Sequence, residues 1–388
     1  VVGGGTPSTA NSDFWGGDIP WISPKDLTGY KSVYISHGEN FLTKTGLKSG
    51  TKLLPKGTVL FSSRAPIGYV AIASNPICTN QGFKSIICNK EIINPLFLYY
   101  YIKGNLDYIK LFGTGATFPE ISGAAMRKIK VQIPSIPTQQ KIASILSAYD
   151  RLIENNTRRI RLLEQMAENL YKEWFVRFRF PKHENVEMIN GLPKGWKIKI
   201  IADFGRIETG KTPPMSNRDL YGGDILFVKT PDMHGKMFVR STSETLSQEG
   251  NNYQRTKLLP INSIMVSCIG TAGVVSINTN LAHTNQQINS IILNNLEDLE
   301  WLYYACRQLK PTIELFGATG ATMTNLSKGK FEKLKIVVPK VDFRGAFHKR
   351  IRPYFKEIYA LEQQNTLLTR QRDLLLPRLM SGKLEVKS

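Results

Sequence analysis

The chain has 388 residues, 41% hydrophobic and 21% charged, enough apolar content to bury more than one core and to exclude a disordered chain. Its 51 Lys and Arg against 31 Asp and Glu give a formal net charge of +20 and a pI of about 9.7, which points to a polyanionic partner, nucleic acid first. No apolar run reaches the roughly 20 residues that span a bilayer, no signal-peptide pattern opens the chain, and Cys78, Cys88, Cys268 and Cys306 show neither metal-ligand nor disulfide spacing; a cytoplasmic protein with buried cysteines is expected.

In chain order the dominant feature is a repeat. Thr6-Pro7 answers Thr212-Pro213, and Gly16-Gly17-Asp18-Ile19 answers Gly222-Gly223-Asp224-Ile225. Lys52-Leu53-Leu54-Pro55 answers Lys257-Leu258-Leu259-Pro260, and Thr79-Asn80-Gln81 answers Thr284-Asn285-Gln286. Leu98-Tyr99-Tyr100 recurs as Leu302-Tyr303-Tyr304, and Gly115-Ala116-Thr117 as Gly320-Ala321-Thr322. The offset stays between 204 and 206 positions, so a unit of about 205 residues, a domain with its connector, is present twice in tandem. The second copy carries Gly191–Arg206 ahead of its first matching residue, Ile207, whereas the first copy begins at Val1; the repeat predicts about sixteen further residues there.

Each copy opens with short β-rich runs, such as Gly57–Ser62 and Ser263–Ser267, between Gly, Pro, Asn and Ser turns. Helical stretches are predicted near Pro95–Leu106 and Leu299–Leu309, then apolar strands at Ile129–Ile133 and Leu334–Val338, each before a proline. Long helices follow. Ile142, Leu146, Tyr149, Ile153, Asn156, Ile160, Leu163, Ala167, Leu170 and Trp174 form a heptad seam, matched by Phe347, Ile351, Tyr354, Ile358, Leu361, Asn365, Leu368, Arg372, Leu375 and Leu379. Antiparallel pairing about the midpoints sets Asn156 opposite Asn365, a polar pair that would fix register. Arg372 interrupts the seam, and Pro353 predicts a kink or a late helix start. At 1.5 Å per residue the first seam spans roughly 50 Å, a ruler for a little over one turn of DNA.

The predicted fold is α+β (mixed α/β): two tandem globular domains separated by two long antiparallel coiled-coil helices, with internal pseudo-two-fold duplication. The expected segments are 1–134 (first domain, incomplete at its N-terminus), 135–180 (central spacer helix), 181–339 (second domain) and 340–388 (C-terminal spacer helix and tail).

The Gly-Gly-Asp-Ile-Pro-Trp-Ile run, Thr79–Phe83, Ile133–Gln140 and the closing Leu379–Leu384 together resemble the specificity (S) subunit of Type I restriction-modification systems, over nearly the whole chain. The resemblance implies a non-catalytic subunit whose two recognition domains each read half of a split sequence in double-stranded DNA across a spacer set by the helices. It also implies modification subunits that methylate adenine with S-adenosylmethionine and a restriction subunit that translocates and cuts; S-adenosylmethionine, ATP and Mg belong to those partners and none to this chain. The second copy departs at Val341-Asp342-Phe343-Arg344, which replaces Pro-Thr-Gln-Gln of the first. A specificity subunit serving a fused methyltransferase-nuclease, and a self-sufficient methyltransferase or nuclease, are the alternatives.

Catalytic look-alikes read as structure. Phe112-Gly113-Thr114-Gly115 and Phe316–Gly320 imitate a cofactor loop without a preceding buried strand, and Asn94-Pro95-Leu96-Phe97 reads as a helix start. Pro231-Asp232 and Glu385-Val386-Lys387 lie too far apart for a nuclease site, and the five histidines show no ligand spacing. Readout of DNA falls to the segments where the copies differ most, Ser23–Lys44 and Lys229–Arg255. The candidate DNA-binding residues are Lys25, Lys31, Lys44 and Arg64 in the first copy, and Lys229, His234, Lys236, Arg240 and Arg255 in the second. Thr79–Gln81 and Thr284–Gln286, kept in both, are expected to make turn hydrogen bonds. Arg158-Arg159-Ile160-Arg161 faces phosphates or a modification subunit, and Tyr171, Trp174 and Phe175 pack against a domain.

Overall fold

A computed structural model describes residues 1–115, 117, 119–317 and 325–386. Most of the repeated Gly-Ala-Thr pair and of the Phe316–Gly320 loop lies outside the described residues. The chain divides into two compact units, Val1–Arg158 with Glu362–Ser388, and Arg159–Leu361. The division cuts both long helices, because each half-helix packs on the globular part of its own unit.

The first unit holds a three-stranded sheet in the order Asn40–Leu42, Trp15–Ile22, Cys78–Thr79, antiparallel on one side and parallel on the other. The second repeats it with Glu244–Leu246, Tyr221–Val228 and Ala282–Thr284. Both long strands break register at the Gly-Gly-Asp-Ile motif, between Trp15 and Ile19 and between Tyr221 and Ile225. Gly16 and Gly222 have φ of +82° and +86°. A Cβ on Gly17 or Gly223 would stand 2.4 or 2.6 Å from the carbonyl oxygen of Leu42 or Leu246. The motif is therefore a glycine-built β-bulge that bends the strand.

A second sheet packs beside it. In the first unit Tyr34–Ile35, Val70–Ala73 and Val59–Phe61 form three strands; in the second Gly205–Thr209, Ile288–Leu293, Ile264–Ser267, Val275–Asn278 and Phe238–Val239 form five. The helices Pro95–Gly104 and Leu299–Gln308 follow, the first capped by Asn94, whose side chain accepts from the Leu96 and Phe97 amides. Asn94-Pro95-Leu96-Phe97 is a capped helix start.

The expected strand at Ile129–Ile133 does not form. Its counterpart Lys335–Val338 pairs antiparallel with Lys197–Ile200, whereas Ile129–Ile133 finds no ladder partner among the described residues.

The central helix runs Ile136–Tyr171 and the C-terminal helix Val341–Met380. Within the first unit Ile142 and Leu146 share a cluster with Leu375 and Leu379; within the second, Tyr171, Trp174 and Phe175 ring Phe347 at centroid distances of 6.1, 6.0 and 5.0 Å. Both contacts are antiparallel. A late start at Pro353 is corrected: the helix begins at Val341 and continues through it. Pro353 lies on the exposed face, where the Lys349 carbonyl that loses its N–H partner is open to solvent, while Ile351 and Phe355 on the other face are buried.

Candidate nucleic-acid interface

Each divergent segment leaves its three-stranded sheet at a clamp made by one carboxylate. In the first unit Asp26 Oδ2 accepts from the Ser23 amide and hydroxyl, both at 2.7 Å, and Oδ1 accepts from the Glu39 amide at 2.8 Å. In the second, Asp232 Oδ2 accepts from the Lys229 amide and Oδ1 from the Ser243 amide, both at 2.9 Å. The clamp joins entry and exit of the loop, and Gly38 lets the chain pass close, since a Cβ there would sit 2.6 Å from the Asp26 carboxylate. Both oxygens of Asp232 are bound by main-chain N–H groups in a site 8% exposed, which accounts for this aspartate without catalysis. Asp26 is the residue that sequence reasoning missed; its signal is an aspartate at the same place in both copies, followed by unlike loops.

Two lysines of the expected set close the same loops from outside. Lys25 pairs with Glu39 at 2.9 Å and Lys229 with Glu244 at 2.8 Å. Three others belong to the helix side. Lys31 adjoins Ser32, whose hydroxyl donates to Glu154 on the central helix at 3.1 Å. The Arg240 guanidinium lies 5.3 Å from the ring centre of Tyr359 on the C-terminal helix, the repeat equivalent of Glu154. Lys236 lines a cleft of about 350 Å³ with Glu164, Glu168, Tyr303 and Arg307, where burial pushes the Glu164 carboxyl up. His234 is exposed at the end of the short helix Thr230–Met233. Arg64 pairs with Glu120 at 3.3 Å, beside Lys84 at 3.0 Å.

The remaining two, Lys44 and Arg255, flank the exposed end of the bulged strand. Lys44 opens the helix Lys44–Lys48, capped by Thr43, and Gln248–Tyr253, capped by Ser247, is its counterpart. The first copy exposes Lys44, Lys48, Lys52 and Lys56 here. The second offers Arg255 beside Tyr253, 49% exposed, with the Lys211 ammonium 4.7 Å from its ring centre. An exposed aromatic with cations beside it suits a nucleic-acid surface. Lys211 was not reached from sequence because its counterpart is Gly5.

The repeated Thr-Asn-Gln turns are structural. Asn80 Oδ1 accepts from the Gly82 amide at 2.9 Å and Asn285 Oδ1 from the Gln287 amide at 3.3 Å. Thr6 and Thr212 bond Gln81 and Gln286 in turn. The departure at the helix starts has a structural account as well. Gln139 accepts from the Asn94 amide at 2.8 Å and donates to the Ile92 and Pro134 carbonyls, while Arg344 pairs with Asp298. Asn94 and Asp298 are repeat equivalents, so two chemistries tie each long helix to the helix before it.

On the helices Asn156 donates to Asn365 Oδ1 at 3.0 Å and to Gln364 Oε1 at 2.8 Å. Arg159 pairs with Glu357 at 2.6 Å, whereas Arg158 and Arg161 are exposed. Cys78, Cys268 and Cys306 are buried and Cys88 is half-buried; burial pushes the Cys78, Cys88 and Cys268 thiols up to about 11, which keeps them protonated and unreactive. Among the described residues no three His, Cys, Asp or Glu are placed to hold a metal ion, and no helix is long and apolar enough to cross a membrane.

Comparison with known proteins agrees with this architecture. The family described as "Type I restriction modification DNA specificity domain" matches residues 1–165 and 193–368. The Type I restriction enzyme MjaIX specificity subunit of Methanocaldococcus jannaschii is 35% identical, across 100% of this chain and 91% of its own. The HindI specificity subunit of Haemophilus influenzae is 33% identical across 86% of this chain and 88% of its own. The crystal structure of a Type I S subunit from M. genitalium shares the fold, with a TM-score of 0.63 at 15% identity over 99% of this chain and 93% of that one. With its duplicated, differently looped domains, the chain belongs to the type I restriction-modification DNA specificity family.

Proposed function

We propose that the chain reads a split sequence in double-stranded DNA, one part through each unit, as the specificity subunit of a type I restriction-modification complex. Modification (methyltransferase) subunits and a restriction (translocase-nuclease) subunit carry the chemistry in this reading. S-adenosylmethionine, ATP and Mg serve those partners, and this chain contributes recognition and placement in the cytoplasm. The long helices set the unread gap between the two parts of the target.

The observation that carries the reading is the duplicated loop clamp. Asp26 and Asp232 hold entry and exit in the same way, while the loops between them differ in sequence, as two unlike half-sites require. The net charge of +20 supplies the salt-dependent attraction to phosphate.

Long-read mapping of N6-methyladenine in cells with and without the gene tests the reading. Loss of one bipartite motif with a fixed gap is the expected result. An unchanged map in cells that express the chain with its modification subunits would overturn it.

A further inference from the structure

The copies are alike enough for each long helix to pair with a second copy of itself. At the level of the repeat, Ile136 corresponds to Val341, and the seam positions follow with one offset. Yet the polar contacts across the helices are not shared between the copies.

In the first unit Asp150 on the central helix pairs with Arg372 on the C-terminal helix, their side chains 9% and 15% exposed, and the Tyr100 hydroxyl donates to the other oxygen of Asp150. The repeat equivalents in the second unit are Phe355 for Asp150, Ala167 for Arg372 and Tyr304 for Tyr100. All three lie in one apolar cluster, with Tyr304 and Phe355 ring centres 6.0 Å apart. The Asn156–Asn365 hydrogen bond behaves likewise, since its equivalents are Leu361, buried, and Ile160, partly buried. One end of the seam is thus polar and matched, the other apolar and matched.

A central helix paired antiparallel with a second central helix would meet itself through these same positions. Asp150 would face Ala167, and Asn156 would face Ile160. A C-terminal helix paired with its own copy would set Arg372 against Phe355 and Asn365 against Leu361. Each such contact removes the partner across the helices, leaving Asp150 with the Tyr100 hydroxyl and Arg372 with Asp373 of its own helix, which is unfavourable. Only the central helix with the C-terminal helix satisfies every position.

We propose that these contacts are a pairing code that makes the two helices of one chain fit each other and prevents either from pairing with a second copy of itself. The partner surface it excludes is a second copy of this chain. The exclusion matters during synthesis, when the central helix is complete while the residues up to the C-terminal helix are still being made, an interval of roughly ten to thirty seconds at ordinary elongation rates. Neighbouring nascent chains offer central helices first, and the unpaired Asp150 and Asn156 reject them.

The test uses the full chain, co-expressed in one cell under two different affinity tags. Wild type is expected to bring down little of the second tag. The variant D150F/N156L/R372A/N365I, which gives the polar end the side chains of the apolar end, is expected to bring down at least about tenfold more, a preference change of about 1.4 kcal/mol. The charge exchange D150R/R372D keeps the code and is expected to stay with wild type, melting closer to it than either single change does. Equal recovery of the second tag from wild type and the fourfold variant would overturn the proposal. So would a charge exchange that melts no better than its single changes.

Discussion

Arg372 of the C-terminal helix and Asp150 of the central helix form an ion pair in the seam, with the Tyr100 hydroxyl bound to the same carboxylate. What reads in sequence as a flaw in the heptad pattern is a satisfied network, which Asp373 joins through the Arg372 guanidinium, and its neighbourhood holds the Tyr100 hydroxyl protonated well above the usual tyrosine range, by burial first and by the Asp150 charge second. Removing one member leaves the other without its partner across the helices, Asp150 with only the Tyr100 hydroxyl or Arg372 with only Asp373. Asp150→Ala or Arg372→Ala is expected to lower unfolding stability by about 3–5 kcal/mol, and Asp150→Phe with Arg372→Ala to recover most of the loss. Urea titration of the four proteins measures this; additive losses would mean that the two residues act separately.

The Asn156–Asn365 contact is joined by Gln364, and a polar pair in an apolar seam is expected to fix one alignment at some cost in stability. Asn156→Leu with Asn365→Leu is expected to raise stability by on the order of 1 kcal/mol while allowing the helices to slip. Spin labels at Leu152 and Leu367 report the alignment within the first unit. One narrow distance in wild type and a broadened set in the double variant are expected; the same narrow distance in both would show that apolar packing alone sets the register.

His283 is fully buried, with Nε2 2.9 Å from Asn251 Oδ1, and burial pushes its pKa from 6.5 down to about 4. The unfolded chain therefore takes up a proton at a higher pH than the folded one. Its contribution is whole above pH 6.5 and is lost as pH falls from 6.5 towards 4, reaching about 2 kcal/mol of loss at pH 5. Melting curves at pH 7.5 and pH 5 should show a larger acid drop for wild type than for His283→Gln. An equal drop in both proteins would remove His283 as its source.

Asp26→Ala and Asp232→Ala each free two main-chain N–H groups and are expected to cost about 1–3 kcal/mol. Amide exchange should quicken at Glu39 only in the first variant and at Ser243 only in the second. In a methylation map each change should relax one part of the target and leave the other intact.

Among surface cations, Lys211→Ala and Arg255→Ala are expected to weaken duplex binding and to lower the salt slope by about 1 each. Lys25→Ala, whose ammonium is held by Glu39, should leave the slope unchanged. A slope that moves equally for all three would place the phosphate surface elsewhere.

The tandem domains, the paired helices and the Asn156–Asn365 contact were legible because a repeat and a heptad are linear patterns. The Asp150–Arg372 pair was not, since its third member, Tyr100, comes from a domain helix outside the seam. The apolar run Ile129–Ile133 forms no strand among the described residues, whereas Lys335–Val338 pairs with Lys197–Ile200; apolar composition alone does not name a ladder partner. Of the expected DNA contacts, Lys44 and Arg255 fall on the exposed short-helix side, whereas Lys31, Lys236 and Arg240 fall on the helix side. Both loop ends diverge between the copies, and divergence alone does not distinguish a surface that meets DNA from one that fits a unit to its own helices.

The aspartate clamps bind main-chain N–H groups across the loop, at Glu39 in one unit and Ser243 in the other, and so are indifferent to the side chains in between. Each works as a socket into which a whole cassette can be seated, provided the new segment brings a free amide to the closing position. Were such a cassette to carry the target contacts, a change of target would take one exchange of surface chain, with the sheets beneath left as they were.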